Sequence, residues 1–190
     1  MASCRSFGVL EMSSVVSPPE PGFDDPLQML SACHEHIRGQ LETLQRLANH
    51  LSMFGVDGRA RQAAEDLVRY FDTAATHHRA DEEEDLFPAV RAAAQGDVRQ
   101  RLETLIATLR QEHERMSAAW AGLRPVLVAV ATGEMADLTI EHAMAFDTLY
   151  DAHMAREERG IFPVAARLLD AEQIRAIGAA MTARRAPQSG

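Results

Sequence analysis

The chain has 190 residues, 46% of them hydrophobic and only 5% aromatic. That suits one ordinary domain with a tail and argues against a disordered chain or a small β-sandwich. Nineteen basic against 28 acidic residues leave a net charge of −9, a poor match for the phosphates of a nucleic acid.

Residues 1–24 read as a flexible tail, broken by Glu11 and by Pro18, Pro19 and Pro21, with nothing in it that suggests chemistry. From Asp25 the pattern is helical. Asp24 and Asp25 stand before Pro26, an N-cap followed by proline at the first helical position. Four long segments follow, at roughly 25–54, 59–94, 97–130 and 135–169, separated by glycine-containing links of a few residues. A fifth, short helix is predicted at 171–184, opened by Asp170. Pro88, Pro125 and Pro163 are expected to kink or interrupt their helices. Short links between long helices make antiparallel neighbours. The predicted fold is therefore all-α: an up-down antiparallel four-helix bundle over 25–170, with a short C-terminal helix and tail over 171–190. No run approaches the roughly 20 apolar residues of a membrane span, so no membrane association is expected. Two cysteines without a CxxC pair exclude a disulfide framework and a thiolate zinc site; they suit a reducing cytosol, hence a cytoplasmic location.

Each long segment carries an apolar stripe at steps of three and four, and each stripe contains one histidine. His34 completes the row of Leu30, Ile37, Leu41 and Leu44. His78 extends Leu67, Phe71 and Ala74. His113 lies between Leu109 and Met116, and His153 extends Phe146 and Leu149. A lone histidine in an apolar row is more often a hydrogen-bonded core residue than a ligand; four at matched positions reverse that expectation.

Two stretches repeat. His78-Arg-Ala-Asp-Glu82-Glu83-Glu-Asp-Leu86-Phe87-Pro88 and His153-Met-Ala-Arg-Glu157-Glu158-Arg-Gly-Ile161-Phe162-Pro163 both fit H-x-A-x-E-E-x-x-(L/I)-F-P, 75 residues apart. Residues i and i+4 of a helix lie about 40° apart around the axis and one turn along it, so His78 with Glu82, and His153 with Glu157, can meet at one point. Both glutamates then point inward beside four imidazoles. A buried carboxylate must be paired or metal-bound. The chain has no lysine, and no arginine lies on these stripes at that level, so a cation is the economical partner. Nitrogen and oxygen donors suit iron or manganese, and six side chains exceed what one tetrahedral zinc can use. Two ions fit better: four histidines as terminal ligands, two bridging glutamates, a bridging oxygen and about two positions left for a small ligand.

On these residues the chain resembles the hemerythrin-like proteins of the HHE cation-binding domain family, over roughly 25–170. The resemblance implies a four-helix bundle around an oxygen-bridged pair of non-haem Fe ions. It implies His34, His78, Glu82, His113, His153 and Glu157 as metal ligands, and binding or reduction of dioxygen, nitric oxide or peroxide. One departure is visible. Oxygen-carrying relatives have a second histidine one turn along the third helix, where this chain has Ser117. Pure oxygen carriage is therefore not the expectation; a more open, more reactive site is. Rival readings are an iron-donating or iron-storing stress-repair protein, or a sensing module whose surface answers to the metal. No protein partner is specified.

The other polar residues receive blander readings. His36 and His50 are expected at the surface or periphery, His77 either behind a ligand or exposed, and His142 as a polar core residue too far from His153 to share its ion. Asp81-Glu82-Glu83-Glu84-Asp85 reads as a solvated face apart from Glu82. Glu83 and Glu158 repeat and so are candidates for contact with the ligands or for iron entry. Cys33 reads as a buried small hydrophobe. The two Phe-Pro pairs are expected to pack at helix ends beside the metal.

Overall fold

The computed structural model describes residues 22–186. All but the last three residues of the expected N-terminal tail, and positions 187–190, lie outside the described residues. The chain runs α1 (Pro26–Phe54), α2 (Gly58–Asp72), α3 (Ala74–Ala80), a π-helical segment (Asp81–Leu86), α4 (Phe87–Ala93), α5 (Gly96–Thr132), α6 (Ile140–Gly160), α7 (Phe162–Leu168) and α8 (Ala171–Arg185). Among the described residues there is no strand, and no helix is long and apolar enough to cross a membrane.

Local chemistry explains the boundaries. The Asp25 carboxylate accepts the Gln28 N–H at 3.1 Å and caps α1, with Pro26 at its first position. Asp170 caps α8 by accepting from Glu172 and Gln173, and Gln173 accepts the Asp170 N–H in return. Gly55 and Gly133 follow α1 and α5 with φ of 71° and 93°, a region side chains avoid. α5 runs unbroken through Pro125, whereas the second and fourth predicted segments are interrupted. The second breaks at Thr73, whose hydroxyl donates to the Arg69 carbonyl and competes with the helical pattern. Both Phe-Pro pairs open new short helices, α4 and α7, because proline supplies no N–H to the preceding turn. The fourth segment starts at Ile140 rather than near 135, where the Thr139 hydroxyl accepts the His142 N–H.

α1 packs on α2 and α6, and α5 packs on the same two, so the four arms close a ring. Two apolar clusters fill it. One gathers Ile37, Leu44, Leu67, Phe71, Leu127 and Phe146. The other gathers Leu30, Leu86, Val90, Leu109, Ile161 and Met181. In α1 the stripe passes from Leu30 to Ile37 across His34; in α5 it passes from Leu109 to Met116 across His113. The histidines thus form a polar layer between two oily ones.

α8 closes the second cluster with Ile177 and Met181. It approaches the chain ahead of α1 so closely that a Cβ at Gly178 would stand 1.9 Å from the Phe23 carbonyl oxygen. Gly178→Ala should therefore push α8 off its seat. The expected loss is about 1–3 kcal/mol in chemical denaturation, the range for overpacked sites; a variant as stable as the parent would show that α8 does not dock this tightly.

Candidate metal centre

Four helical arms each deliver one imidazole to the polar layer, and all four are buried: His34 from α1, His78 from α3, His113 from α5 and His153 from α6. Glu82 and Glu157 lie among them, both wholly buried. The six residues singled out by spacing are thus brought to one place.

Their atoms alternate. His78 Nε2 stands 3.0 Å from Glu82 Oε1, and His113 Nε2 stands 3.3 Å from Glu82 Oε2. On the other carboxylate, His34 Nε2 is 3.3 Å from Glu157 Oε2 and His153 Nε2 is 3.3 Å from Glu157 Oε1. The donors fall into two overlapping groups, His34, His78, Glu82 and Glu157, and Glu82, His113, His153 and Glu157, each with ligand atoms within 4.8 Å of one another. Both carboxylates belong to both groups.

These contacts are close without being hydrogen bonds. Nε2 of His34, His78 and His153 and all four oxygens of Glu82 and Glu157 are buried without a hydrogen-bond partner. Orphaned donors and acceptors are rare in native interiors, and here they converge. This donor set is capable of holding metal ions.

The outer nitrogens settle the tautomers. His34 Nδ1–H donates to Glu158 at 2.8 Å, His113 Nδ1–H to Glu83 at 2.7 Å, and His153 Nδ1–H to Glu112 at 3.2 Å. We assign a proton to each Nδ1 because a carboxylate can only accept; a ring that carries only that proton turns a lone pair on Nε2 inward. Each outer carboxylate is held in turn by a guanidinium: Glu158 by Arg38 at 2.8 Å, Glu83 by Arg79 at 2.8 Å, and Glu112 by Arg156. Such carboxylate–histidine pairs orient ligands and raise their basicity. His78 is the exception. Its Nδ1 has no hydrogen-bond partner, and its neighbour there is the Cys33 thiol.

The repeat now has a geometric meaning. In the first copy Glu82 faces the centre while the next residue, Glu83, reaches across to His113 of α5, and Phe87 lies parallel to that ring at 6.3 Å. In the second copy Glu157 faces the centre, Glu158 reaches across to His34 of α1, and Phe162 stacks on it at 5.2 Å. Each copy supplies a buried His–Glu pair and grips a histidine from a helix outside the repeat.

Several residues stand apart from their sequence reading. Asp81 is wholly buried and Asp85 is half-buried, so the acidic run is not simply a solvated face. The reason is the π-helical winding of 81–86 together with the arginines of α8 that meet it. His142 is exposed and accepts the Thr139 N–H in a cap instead of joining the core. His50 pairs with Asp57 at 3.1 Å, far from the centre, and His36 is exposed. Cys33 is half-buried. Spacing did not reveal Glu112 or the three arginines. Glu112 directly precedes His113 and Arg156 lies one turn after His153, but their target is on another helix.

A cavity of about 160 Å³ opens beside the centre. Its walls include His78, His113 and His153, with Phe71, Met116 and Trp120 as apolar lining. His34 does not reach it.

Charge in the metal-free layer follows from burial set against the two carboxylates. Burial pushes His34 down, but Glu157 and Glu82 outweigh it and raise it from 6.5 to about 9. His78 is raised as well, again against burial, chiefly by Glu82, and that glutamate is held well below its usual range by His78, His113 and His34 despite its own burial. Protons on the imidazoles thus stand in for cations. A histidine whose folded value is raised adds stability that is complete below the unfolded value and is lost as pH rises through the folded one. Metal-free protein should therefore lose on the order of a few kcal/mol between about pH 6.5 and pH 9, read by urea melts at the two ends. Bound metal should abolish that slope, since it replaces the protons. A metal-free chain that gains stability over this interval would contradict the assignment.

The description of a known protein family accounts for the same stretch. The model of the hemerythrin HHE cation-binding domain matches residues 25–165. An uncharacterised protein of Haemophilus influenzae is 30% identical over 164 residues, covering 86% of this chain and 91% of its own. The chain belongs to the hemerythrin HHE cation-binding domain family.

Proposed function

We propose that the chain is a cytoplasmic non-haem di-iron protein that binds or reduces a small ligand, dioxygen, nitric oxide or peroxide. The observation that carries this reading is the set of seven buried, partnerless donor atoms of His34, His78, His153, Glu82 and Glu157, pointed at one another from three helical arms, with His113 joining them from the fourth. His34 and His78 would serve one ion, His113 and His153 the other, with Glu82 and Glu157 bridging both. Six nitrogen and oxygen side chains in two groups that share their carboxylates suit two octahedral ions better than one tetrahedral ion. The iron pair would supply the electrons that a bound oxidant takes up.

The chain's own residues would do the rest. Glu158, Glu83 and Glu112 keep the proton of their imidazole on Nδ1, so that Nε2 stays free for an ion. Phe162 and Phe87 fix the planes of His34 and His113. The cavity supports a small ligand. It is well below the roughly 300–1,000 Å³ of pockets that enclose drug-sized molecules, and its apolar walls limit water. The cavity touches His78, His113 and His153 but not His34, so a small ligand would arrive on that side of the centre. We read the ring of arms as an up-down antiparallel four-helix bundle, supported by the short links and by four histidines at one level.

The test is reconstitution with ferrous iron without air, followed by metal counting and optical spectra before and after oxygen. Two irons per chain are expected, with a charge-transfer band appearing on oxidation. Glu82→Ala or Glu157→Ala should lose most of the iron, since each carboxylate serves both ions. Retention of two irons by the double variant, or a single zinc with a featureless spectrum in the parent, would overturn the reading.

A further inference from the structure

The two halves of the centre are built alike but secured differently. Glu112 precedes His113 on α5 and serves His153; Cys33 precedes His34 on α1 and neighbours His78. Where one half has a carboxylate for Nδ1, the other has the Cys33 thiol beside His78. His78 is therefore the one ligand histidine whose ring no outer carboxylate orients.

The repeat shows what replaces it. The third residue after His153 is Arg156, which holds Glu112 and through it His153. The third residue after His78 is Asp81, and it turns the other way. Its carboxylate takes Arg185 Nη2 at 2.6 Å and Nη1 at 3.1 Å, together with Arg184 Nη1. Arg184 also reaches Glu84 at 2.9 Å and Asp85 at 2.8 Å. The second copy has Arg159 and Gly160 where the first has Glu84 and Asp85.

Backbone geometry agrees. Neighbouring residues of an α-helix point about 100° apart, so two consecutive wholly buried carboxylates are unusual. Asp81 and Glu82 are such a pair, and they open the π-helical segment. An isolated buried carboxylate at Asp81 would be very unfavourable; the two guanidiniums are what allow the segment to keep Asp81 facing α8 and Glu82 facing the centre.

We propose that α8 is a latch for one half of the metal centre: Arg184 and Arg185, acting through Asp81, position the His78–Glu82 segment and set how fast the ion on His34 and His78 is released. These are positioning residues, since neither arginine faces the centre. The proposal rests on the two-ion reading above. The ion on His34 and His78 takes two ligands from this segment, His78 and Glu82, whereas the ion on His113 and His153 takes Glu82 alone and is otherwise held only indirectly, by Glu83 on His113, so the two ions respond unequally.

The experiment loads the full chain with ferrous iron, confirms two irons per chain, and follows release to an excess of ferrous chelator. In Arg184→Gln/Arg185→Gln one of the two ions should leave at least tenfold faster and the other should change little. Arg184→Lys/Arg185→Lys, which keeps the charge, should recover part of the slow phase. Equal release by parent and variant overturns the latch, as does equal acceleration of both ions in step with a fallen melting temperature. A parent chain that binds no iron pair overturns the two-ion reading instead, and the latch with it. If the glutamine variant does not fold, the parent decides alone. Coupling is reciprocal, so iron loading should slow amide hydrogen exchange in α8 as well as in 78–86. Unchanged exchange in α8 on loading overturns the proposal.

Discussion

Two carboxylates buried among four imidazoles are the constraint on which the molecule depends. Glu82 and Glu157 are wholly removed from water. Left alone, each would be neutral or would disrupt its surroundings. For Glu82 neither outcome fits, because the histidines hold it in its charged form; Glu157 and Glu82 in turn hold His34 protonated in the metal-free chain. The layer therefore needs positive charge, as protons or as metal. Apolar packing above and below supplies stability, while the polar layer fixes the register of the four arms, since sliding one helix by a turn would strand a charge in oil. Buried polar networks often serve register in this way.

The paired repeat economises on sequence. One motif of ten residues, from histidine to phenylalanine, supplies two inward donors, an outward carboxylate and an aromatic cover. The inward and outward carboxylates are adjacent in sequence, so one faces the centre and the next faces a different helix. Copy one grips α5, copy two grips α1. No helix holds its own half-site alone. A helix that frays also loosens a ligand on its neighbour, which makes the centre depend on the whole bundle.

How much of this was legible in the sequence depended on whether a partner lay on the same helix. The helical segments, the His-x-x-x-Glu pairs and the inward row are local in sequence, and steps of three, four and seven expose them. His34 and His113 were visible only as polar members of an apolar stripe, a weaker signal made strong by repetition. The Nδ1 contacts were not visible. Glu112 sits among exposed residues of α5, and its role appears only when α6 brings His153 beside it. Nor could the acidic run from Asp81 to Asp85 be read correctly, because its partners lie about 100 residues further on, in α8. The winding change at 81–86 has no local cue beyond Pro88, which removes one backbone donor from the following turn. His142 was misread for a complementary reason: periodicity placed it on the inner face, but it lies in the first turn of α6, where capping the backbone outweighs burial.

Departures from internal symmetry carry as much information as the symmetry. A pure repeat would give two equivalent ions and a ligand no reason to prefer either. In this chain Arg79 leaves its own helix to reach Glu83, Glu114 and Ser117, at the wall of the cavity. The serine stands one turn beyond His113, where α1 has Arg38 one turn beyond His34. Arg38 closes its side by holding Glu158, whereas the small Ser117 leaves space, and the cavity occupies it. The open side is walled by α3, α5 and α6, and there His153 keeps a full carboxylate and guanidinium behind it. The side without that support, at His78, is the one clasped by α8. Access is shared by His78, His113 and His153, while the contact with α8 falls on the His78 side alone, where the first copy of the motif carries Asp81, Glu84 and Asp85 in place of Arg156, Arg159 and Gly160.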